Sequence, residues 1–393
     1  MTTDSQQVEP VARTPEEWAK AVVSIGGRTF HGKQVFKWIH ARGVLEPEKM
    51  TDLPKSLRDA LAVAEVGPVL EIASERRAQD DTRKLLVKMR DGATVETVLI
   101  PAVTRGRSDL PNPVEEDADA AAAVEDEDEI EEPLAAAGPV RVTQCISTQV
   151  GCAMGCVFCA SGVAGLKRHM GPDEIVAQVL VGRSRLDDGE QLRNVVFMGM
   201  GEPLHNYEAT ARALRLLTHP DGIALSSRRV TISTSGLVPE IARLGQDFGG
   251  QVGLAISLHA ADDETRTRLM PINKKYPLAK LIEALRAYPL PRRRRITIEY
   301  TLVAGKNDAP EEAKKLVRVL RGLPVKINLI PMNPIEQSTL GPPDLSGVLT
   351  FQKVLCDAGY SCFIRRRRGD EVSAACGQLA LLGAKPKVRV NRS

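Results

Sequence analysis

Aromatic residues are scarce in this chain of 393 residues, where Phe, Trp and Tyr together make up 4%. Extended aromatic platforms that stack unpaired bases are therefore not expected. No run of about 18 apolar residues is present, which predicts no membrane span, and the polar N-terminus lacks the apolar stretch of a secretory signal. The seven cysteines are too few, and odd in number, for a disulfide scaffold. We expect a cytoplasmic protein whose thiols serve metal binding or catalysis.

The excess of positive charge also looks small, since 53 Lys and Arg face 50 Asp and Glu. However, Glu115–Glu132 holds eleven acidic residues and no basic one, and the rest of the chain carries a formal charge of +14. Such a basic body suits a phosphate-rich partner. Two four-arginine runs, Arg292–Arg295 and Arg365–Arg368, favour contacts with RNA phosphates, because the planar guanidinium matches a phosphate group.

The composition divides the chain into six expected segments. These are a disordered N-terminus at 1–12, a helical RNA-binding domain at 13–75, a β-hairpin connector at 76–103, a disordered acidic insertion at 104–138, a catalytic domain at 139–380 and a basic tail at 381–393. The hairpin rests on the turn signal Asp91-Gly92. The insertion is rich in Pro, Ala and acidic residues, so it cannot bury enough apolar surface to offset its chain entropy.

From about Arg141 onward, apolar strand-like segments alternate with helical ones. The predicted strands are Val142–Ile146, Val195–Met198, Val230–Ser233, Val252–Leu258, Ile296–Leu302 and Val325–Ile330; helices are predicted around Ile175–Val181, Tyr207–Leu217 and Pro310–Leu320. This alternation indicates βαβ units and a mostly parallel sheet. Six strands are two short of a complete eight-fold barrel. The predicted fold is α/β, a partial (β/α)6 barrel with a small N-terminal helical domain.

Three cysteines follow the first predicted strand at the spacing C-x3-C-x2-C: Cys152, Cys156 and Cys159. Thiolates are the ligands of iron–sulfur clusters, and three ligands instead of four would leave one iron open to a substrate. A zinc site is the alternative. It usually needs four ligands, of which Cys145 could be the fourth. The position at the carboxyl end of a barrel strand, where active sites gather, favours the cluster.

Polar residues end four of the other predicted strands. They are Gly201 and Glu202, Ser233, the tripeptide Ser257-Leu258-His259, and Asn333. Any one of them alone would more often be a cap or turn residue. Four such positions around one end of a barrel favour a common ligand.

The cysteine loop resembles that of the radical S-adenosylmethionine (SAM) superfamily. More specifically, the chain from about Arg28 to Leu379, apart from the acidic insertion, resembles the RlmN family of RNA methyltransferases. The strings that carry the resemblance are Gln149–Cys152, Val196–Pro203, Ile256–Ala260 and Ala374–Leu379. The resemblance implies SAM-dependent methylation of C2 of adenine 2503 in 23S rRNA and of adenine 37 in tRNA.

The resemblance also implies the cofactors. One [4Fe-4S] cluster would be held by Cys152, Cys156 and Cys159, with SAM on the open iron and two SAM molecules used per turnover. The implied SAM contacts are Gly201, Glu202, Ser233, Ser257, Leu258, His259 and Asn333. An external electron donor and a disulfide reductant would be further partners, besides 23S rRNA and tRNA. We expect a monomer with no membrane partner.

Three more residues acquire roles only through the resemblance. By themselves, Cys376 and Cys145 are more typical of buried structural thiols, and Glu96 of an exposed strand carboxylate. The resemblance implies that Cys376 becomes S-methylcysteine and that Cys145 resolves a protein–RNA crosslink through a transient disulfide. It makes Glu96 the proton acceptor. Cys356 and Cys362 match no motif, and we interpret them as structural.

Two other functions compete with this interpretation. A Cfr-type enzyme shares the cluster loop and both cysteines but methylates C8 of the same adenine. The second alternative is a zinc-stabilised RNA-binding protein without catalytic activity. Iron content and colour after anaerobic purification would separate this alternative from the enzyme.

Overall fold

The computed structural model describes residues 8–64, 66–102, 138–365 and 368–379. Most of the predicted acidic insertion, the first seven residues and the predicted basic tail lie outside these ranges. The described chain forms a helical N-terminal region, one ten-stranded sheet and a layer of helices on that sheet.

The N-terminal region contains three helices, α1 (Pro15–Ser24), α2 (Thr29–Phe36) and α3 (Lys55–Val63). A capping box begins α1: Thr14 Oγ1 accepts a hydrogen bond from the Glu17 amide, and the Thr14 amide donates to the Glu17 carboxylate. Helices α1 and α2 cross closely at Gly32, where a Cβ atom would lie 2.4 Å from the Ala19 nitrogen. These contacts bury Trp18, which belongs to the same continuous hydrophobic core as the barrel.

The next three strands are antiparallel: β1 (Leu70–Arg77), β2 (Arg83–Met89) and β3 (Thr94–Pro101). The hairpin between β2 and β3 is present as predicted. Strand β1 was not predicted, and it crosses the expected segment boundary at residue 75. It lies at the edge of the sheet and most of its side chains face solvent, so its sequence lacks the apolar alternation that marks a strand.

The remaining strands of the main sheet are parallel to one another. They are β4 (Val140–Cys145), β7 (Glu190–Phe197), β8 (Val230–Thr234), β9 (Gly253–Ser257), β10 (Ile296–Leu302), β11 (Val325–Pro331) and β12 (Cys362–Ile364), while β5 (Gln149–Val150) and β6 (Arg168–His169) form a separate two-stranded pair. All six predicted strands are present. Strand β12 adds a seventh to the parallel set; three residues are too short a run to be recognised from sequence. In the sheet, β3 pairs antiparallel with β4, which joins the hairpin to the barrel.

Helices connect the parallel strands and cover the sheet. They are α4 (Ala160–Ala164), α5 (Pro172–Arg183), α6 (Tyr207–Leu217), α7 (Val238–Phe248), α8 (Asp263–Leu269), α9 (Leu278–Ala287), α10 (Pro310–Val319) and α11 (Leu345–Asp357). The three predicted helices correspond to α5, α6 and α10. Each of these begins near a proline or an acidic residue, as a helix N-terminus favours. No helix in the described ranges is long and apolar enough to cross a membrane.

This architecture confirms the predicted fold class. Because the strands are parallel, their carboxyl ends meet at one end of the barrel, and the polar strand ends gather there. The three antiparallel strands extend the sheet beyond β4 on the side that carries the cysteine loop.

Candidate active site

A cavity of about 160 Å³ opens at the carboxyl ends of the parallel strands. Ten of the predicted site residues line it: Cys152, Cys156, Cys159, Gly201, Glu202, Ser233, Ser257, His259, Asn333 and Cys376. Leu258 does not line it; its side chain is buried in the core. Cys145 and Glu96 also lie off the cavity wall. The fold therefore brings together residues separated by more than 200 positions in sequence.

Main-chain hydrogen bonds hold the cysteine loop on both sides of the cavity. The Val157 amide donates to the Leu269 carbonyl at the end of α8 (3.1 Å), and the Ala160 amide donates to the Gly377 carbonyl (2.8 Å). Gly151 has a φ of +80°, and a Cβ atom there would lie 1.9 Å from the Gly165 carbonyl oxygen. Only glycine can take this position, so the loop's path is fixed by its own sequence.

The three loop thiols are buried together. Burial raises the pKa of Cys152 to about 12 and raises the pKa of Cys156 and Cys159 as well. Burial alone therefore favours the protonated thiols. A bound metal centre reverses this preference, because its positive charge favours the thiolate form.

Arg266 of α8 is a fully buried cation near this loop. It donates hydrogen bonds to the Leu258 carbonyl (3.1 Å), the Ser235 carbonyl (2.7 Å) and Asn273 Oδ1 (2.8 Å). Burial lowers the pKa of Arg266 to about 10, and its charge favours the Cys156 thiolate. Arg266 thus fixes the ends of two strands and supplies positive charge beside the thiols.

The loop thiols were expected to hold a cluster or, with Cys145, a single zinc ion. Within the described ranges, no three His, Cys, Asp or Glu side chains lie close enough to bind one metal ion. The zinc alternative, with Cys145 as fourth ligand, needs four side chains on one ion, and this part of the chain does not assemble them. Thiolates are the ligands that an iron–sulfur cluster takes, and all three loop thiols line the cavity. The residues present fit an iron–sulfur cluster.

Glu202 presents a carboxylate whose orientation is fixed by its neighbours. Its Oε2 accepts hydrogen bonds from the Ser235 amide (2.7 Å) and hydroxyl (2.8 Å), and its Oε1 accepts from the Leu204 amide (3.0 Å). Burial raises the pKa of Glu202, while these hydrogen bonds oppose that effect. A carboxylate held in this way can accept a further hydrogen bond from an ammonium group in the cavity.

His259 is buried in a strained backbone conformation, with a φ of +55°. Its Nδ1 accepts a hydrogen bond from the Thr301 amide (2.8 Å), and its carbonyl accepts one from Asn307 (2.7 Å). Burial lowers the pKa of His259 to about 3. The ring is therefore neutral at physiological pH, and the proton sits on Nε2, which leaves a donor at the cavity wall.

The segment that carries Cys376 packs directly on the cysteine loop. Asn333 Nδ2 donates to the Cys376 carbonyl (2.9 Å), and Ser161 Oγ donates to the Leu379 carbonyl (2.6 Å). Gly377 has a φ of +84° and approaches the Phe158 carbonyl. Cys376 is itself exposed, so its thiol is accessible from outside while it borders the cavity.

Cys145 and Glu96 lie next to this arrangement. Burial and the proximity of Cys376 raise the pKa of Cys145 to about 12, so the two thiols interact electrostatically. The Glu96 carboxylate pairs with Lys84 Nζ at 2.8 Å, and the same Nζ donates to the Ser373 carbonyl at 3.2 Å. Lys84 thereby connects Glu96 to the segment that carries Cys376.

Comparison with known proteins agrees with this geometry. Residues 14–66 match the model of the ribosomal RNA large subunit methyltransferase N-terminal domain, and residues 146–317 match the radical SAM superfamily. The chain is 69% identical to the dual-specificity RNA methyltransferase RlmN of Sorangium cellulosum, across 98% of each chain. It belongs to the RlmN family. The corresponding protein of Syntrophobacter fumaroxidans is 42% identical, over 93% of this chain and 94% of that one.

A solved structure supports the same assignment. The crystal structure of a radical SAM methyltransferase from Sphaerobacter thermophilus superposes with a TM-score of 0.82 at 38% identity, covering 95% of this chain and 99% of that one. The chain is a radical SAM RNA methyltransferase, and its membership of the RlmN family favours this interpretation over the Cfr type.

The sequence interpretation missed several cavity residues that the RlmN-family fold brings in. Glu299 and Thr301 line the cavity without belonging to a recognised motif, and Arg365, which was assigned to RNA contact within the run Arg365–Arg368, lines it as well. A signal for Glu299 was present, because a carboxylate stands in the middle of the otherwise uncharged strand Ile296–Leu302. Such a group in a buried strand needs a specific partner.

The basic residues proposed for RNA binding also make contacts within the protein. In the segment 13–75, which was expected to bind RNA, Lys33 and Lys37 pair with Asp221 at 2.9 and 3.4 Å. Arg294 donates to the Gln251 carbonyl, and Arg368 donates to Asp80 and the Pro101 carbonyl. Arg366 and Arg367 lie outside the described residues. RNA binding by these clusters remains a prediction.

Proposed function

We propose that this enzyme methylates C2 of adenine 2503 in 23S rRNA and C2 of adenine 37 in tRNA. The observation that carries the proposal is that Cys376 lines the same cavity as Cys152, Cys156 and Cys159. A methyl-carrying thiol and a radical-generating cofactor must meet in one site for this chemistry. The dual-specificity activity named for the relatives supports two RNA substrates.

Cys152, Cys156 and Cys159 would hold one [4Fe-4S] cluster with one open iron. When bound, such a cluster supplies the electron that cleaves SAM to a 5′-deoxyadenosyl radical. Glu202 would accept a hydrogen bond from the SAM ammonium group, and Gly201 lines the same cavity beside it. Ser233, Ser257, His259 and Asn333 offer further polar contacts on the same wall. Leu258 contributes through its main chain, whose amide donates to the Glu299 carbonyl.

Cys376 is needed because adenine C2 is an electrophilic carbon that cannot attack a SAM methyl group. In the proposed route the Cys376 thiolate takes the methyl from a first SAM; a carbon–sulfur bond forms, and the sulfonium bond breaks to give S-adenosylhomocysteine. A second SAM provides the radical that removes one hydrogen from the S-methyl group. The resulting carbon adds to C2 and links the protein to the RNA.

Release of the product would use Glu96 and Cys145. The C2 adduct carries an unpaired electron, which would return to the oxidised cluster, while Glu96 accepts the proton from C2. The Cys145 thiolate then attacks the Cys376 sulfur, so that a disulfide forms as the bond between that sulfur and the RNA-bound carbon breaks, and this carbon takes up a proton to become the methyl group. The electrostatic contact between Cys145 and Cys376 supports this pairing. The disulfide then requires an external reductant, and the cluster an external electron donor. We further propose that the enzyme acts as a cytoplasmic monomer.

The test is to locate the new methyl group on both RNAs. Anaerobically reconstituted enzyme is incubated with SAM and either a 23S rRNA fragment or tRNA, and nuclease digests are compared with 2-methyladenosine and 8-methyladenosine standards by mass spectrometry. We expect 2-methyladenosine from both RNAs. A methyl group at C8 would contradict the proposed position, and modification of one RNA alone would contradict dual specificity. The variant Glu283→Gln, which changes an exposed carboxylate on α9, should give the same products as the wild type.

A further inference from the structure

Lys84 lies between the proposed proton acceptor and the segment that carries Cys376. Its Nζ is 2.8 Å from Glu96 Oε1 and donates a hydrogen bond to the Ser373 carbonyl oxygen at 3.2 Å. The side chains of Lys84 and Glu96 are only 11% and 9% exposed. Water therefore screens this ion pair much less than it screens a pair at the surface, and the ammonium can fix the position of the carboxylate.

The register of the sheet places Lys84 and Glu96 on the face that carries Cys145. Lys84 of β2 pairs with Val98 of β3, and Val98 pairs with Cys145 of β4, so these three side chains form a row on one face. Glu96 is two residues before Val98 and therefore points to the same face, diagonal to Lys84. The proposed proton acceptor, the proposed resolving thiol and one largely buried cation thus share one face of three adjacent strands.

A second contact fixes the start of the Cys376 segment without Lys84. The Gly369 amide donates to Asp80 Oδ2 at 3.0 Å. Ser373, by contrast, has a φ of +51°, which is uncommon for a residue with a side chain. Its carbonyl is the acceptor for Lys84 and lies three residues before the methyl-accepting cysteine. Lys84 therefore contacts the part of the segment that is close in sequence to the reacting sulfur.

We infer that Lys84 is a positioning residue for the release of the product. It holds the Glu96 carboxylate at a fixed place relative to the Cys376 segment, so that the carboxylate meets C2 of the crosslinked adenine. The inference rests on the proposed function, in which the C2–H bond of this adenine breaks and its proton passes to Glu96. Lys84 itself gains and loses no proton in this step, and its part is to set the distance between the acceptor and C2.

This role makes one step of the reaction depend on Lys84 and leaves an earlier step independent of it. Methyl transfer from SAM to Cys376 uses neither Glu96 nor adenine C2, and the contacts of Asn333 and Gly377 that hold Cys376 do not involve Lys84. A cation that only stabilised the segment would affect both steps. A cation that contacted an RNA phosphate would affect RNA binding instead.

Two rates measured on the cluster-loaded enzyme test the inference. Wild type, Lys84→Met and Lys84→Arg are incubated under single-turnover conditions with SAM, a chemical reductant and a labelled 23S rRNA fragment. Peptide mass spectrometry follows S-methylcysteine at Cys376, and denaturing gels follow the decay of the protein–RNA crosslink. For Lys84→Met we expect S-methylcysteine formation within about two-fold of the wild type and crosslink decay about 10- to 100-fold slower, because a small misplacement of a reacting group is that costly.

Further measurements separate positioning from a loss of folding. Deuterium at C2 of the target adenosine should slow crosslink decay more in Lys84→Met than in the wild type, since proton transfer has become the slow step. Lys84→Arg should restore most of the rate, because the guanidinium can donate to both acceptors. Lys88→Met, which changes an exposed lysine on the same strand, should match the wild type in both rates. If Lys84→Met lacks cluster absorbance, Lys84→Gln replaces it and should slow decay in the same direction.

Three results for Lys84→Met would overturn the inference: crosslink decay at the wild-type rate, equal slowing of both rates, or weaker binding of the RNA fragment with an unchanged crosslink lifetime. The second would show that Lys84 only stabilises the segment, and the third would make it a phosphate contact. An isotope effect no larger than that of the wild type, or no recovery in Lys84→Arg, would also contradict it.

Glu96→Gln tests the proposed function separately in the same assay. Normal crosslink decay in Glu96→Gln would refute Glu96 as the proton acceptor. A trapped crosslink in Glu96→Gln together with normal decay in Lys84→Met would refute only the positioning role of Lys84.

Discussion

Asn333 Nδ2 donates a hydrogen bond to the main-chain carbonyl oxygen of Cys376 at 2.9 Å. This bond joins the loop after β11 to the segment that carries the proposed methyl acceptor. With the hydrogen bond between the Ala160 amide and the Gly377 carbonyl, it holds Cys376 against the cysteine loop from two sides. The chemistry at Cys376 should depend on this attachment.

Replacing Asn333 by Asp should slow methylation of Cys376. The substitution removes the donor and places a carboxylate oxygen beside a carbonyl oxygen, which costs about 1–3 kcal/mol. We expect roughly a ten-fold slower appearance of S-methylcysteine, measured by mass spectrometry of the peptide that contains Cys376. An unchanged rate would show that this hydrogen bond does not position the thiol.

The Cys376→Ala variant should retain the cluster and lose all methyl transfer. The cluster ligands are separate residues, so iron content and absorbance near 400 nm should equal those of the wild type. Neither protein nor RNA should gain a methyl group. Cys356→Ala is the matched control, because Cys356 is also exposed but lies on α11. Methylated RNA from the Cys376→Ala variant would exclude the relay.

The Cys145→Ala variant should accumulate a covalent protein–RNA species. Without the resolving thiol, the bond between Cys376 and the RNA has no internal nucleophile to break it. Denaturing gels of reactions with labelled RNA should show a slowly migrating band that ribonuclease removes. Cys362→Ala, which removes another buried strand thiol, should give no such band. Normal turnover without a crosslink would assign Cys145 a purely structural role.

Arg83→Met should strongly destabilise the protein. Arg83 is 1% exposed and connects β2 to the barrel through the Glu190 carboxylate and the Arg185 carbonyl. Removing one partner of a buried ion pair leaves the other charge uncompensated, and the free energy of unfolding should fall by about 3–5 kcal/mol. Urea denaturation measures this. The half-exposed Arg77, which pairs with Asp187, gives the control variant Arg77→Met, expected to lose less than about 1 kcal/mol.

His40→Leu should reduce the sensitivity of the fold to acid. His40 is fully buried, and burial lowers its pKa to about 3, with smaller contributions from His219 and Arg183. Below pH 6.5 the unfolded chain binds a proton that the folded chain excludes, so stability falls between pH 6.5 and 3. From pH 7 to 5 the wild type should lose about 2 kcal/mol more than the variant. Urea denaturation at both pH values measures these free energies of unfolding. Equal losses in the wild type and the variant would show that His40 is not the group responsible.

Much of the fold could be predicted because it depends on local pattern. The six barrel strands are continuous apolar runs, and the turn at Asp91-Gly92 is a short-range signal. Strands β1 and β12 were missed for opposite reasons. Strand β1 is polar and lies at an edge, and β12 is only three residues long, so both form because a neighbouring strand offers hydrogen bonds.

The candidate site divides in the same way. The cysteine spacing and the polar strand ends were visible in the sequence, and nine of those residues line one cavity. Arg266 was not recognised because it belongs to no motif, and the signal for Glu299, a carboxylate in an otherwise uncharged strand, gains its meaning only from burial. A carboxylate or guanidinium in a strand or helix looks ordinary until tertiary packing removes the water around it.

The sequence by itself determined the barrel strands, the loop that carries three thiols and the hidden basic character of the chain, since each depends on residue type and spacing. Only the tertiary structure decided that Cys376 borders the same cavity as that loop and that Cys145 lies close enough to Cys376 to interact with it electrostatically. It also decided that one carboxylate oxygen of Glu299 is buried without a hydrogen-bond donor among the described residues. The physical reason is that contacts between residues far apart in the chain depend on how strands and helices pack, which no local pattern encodes.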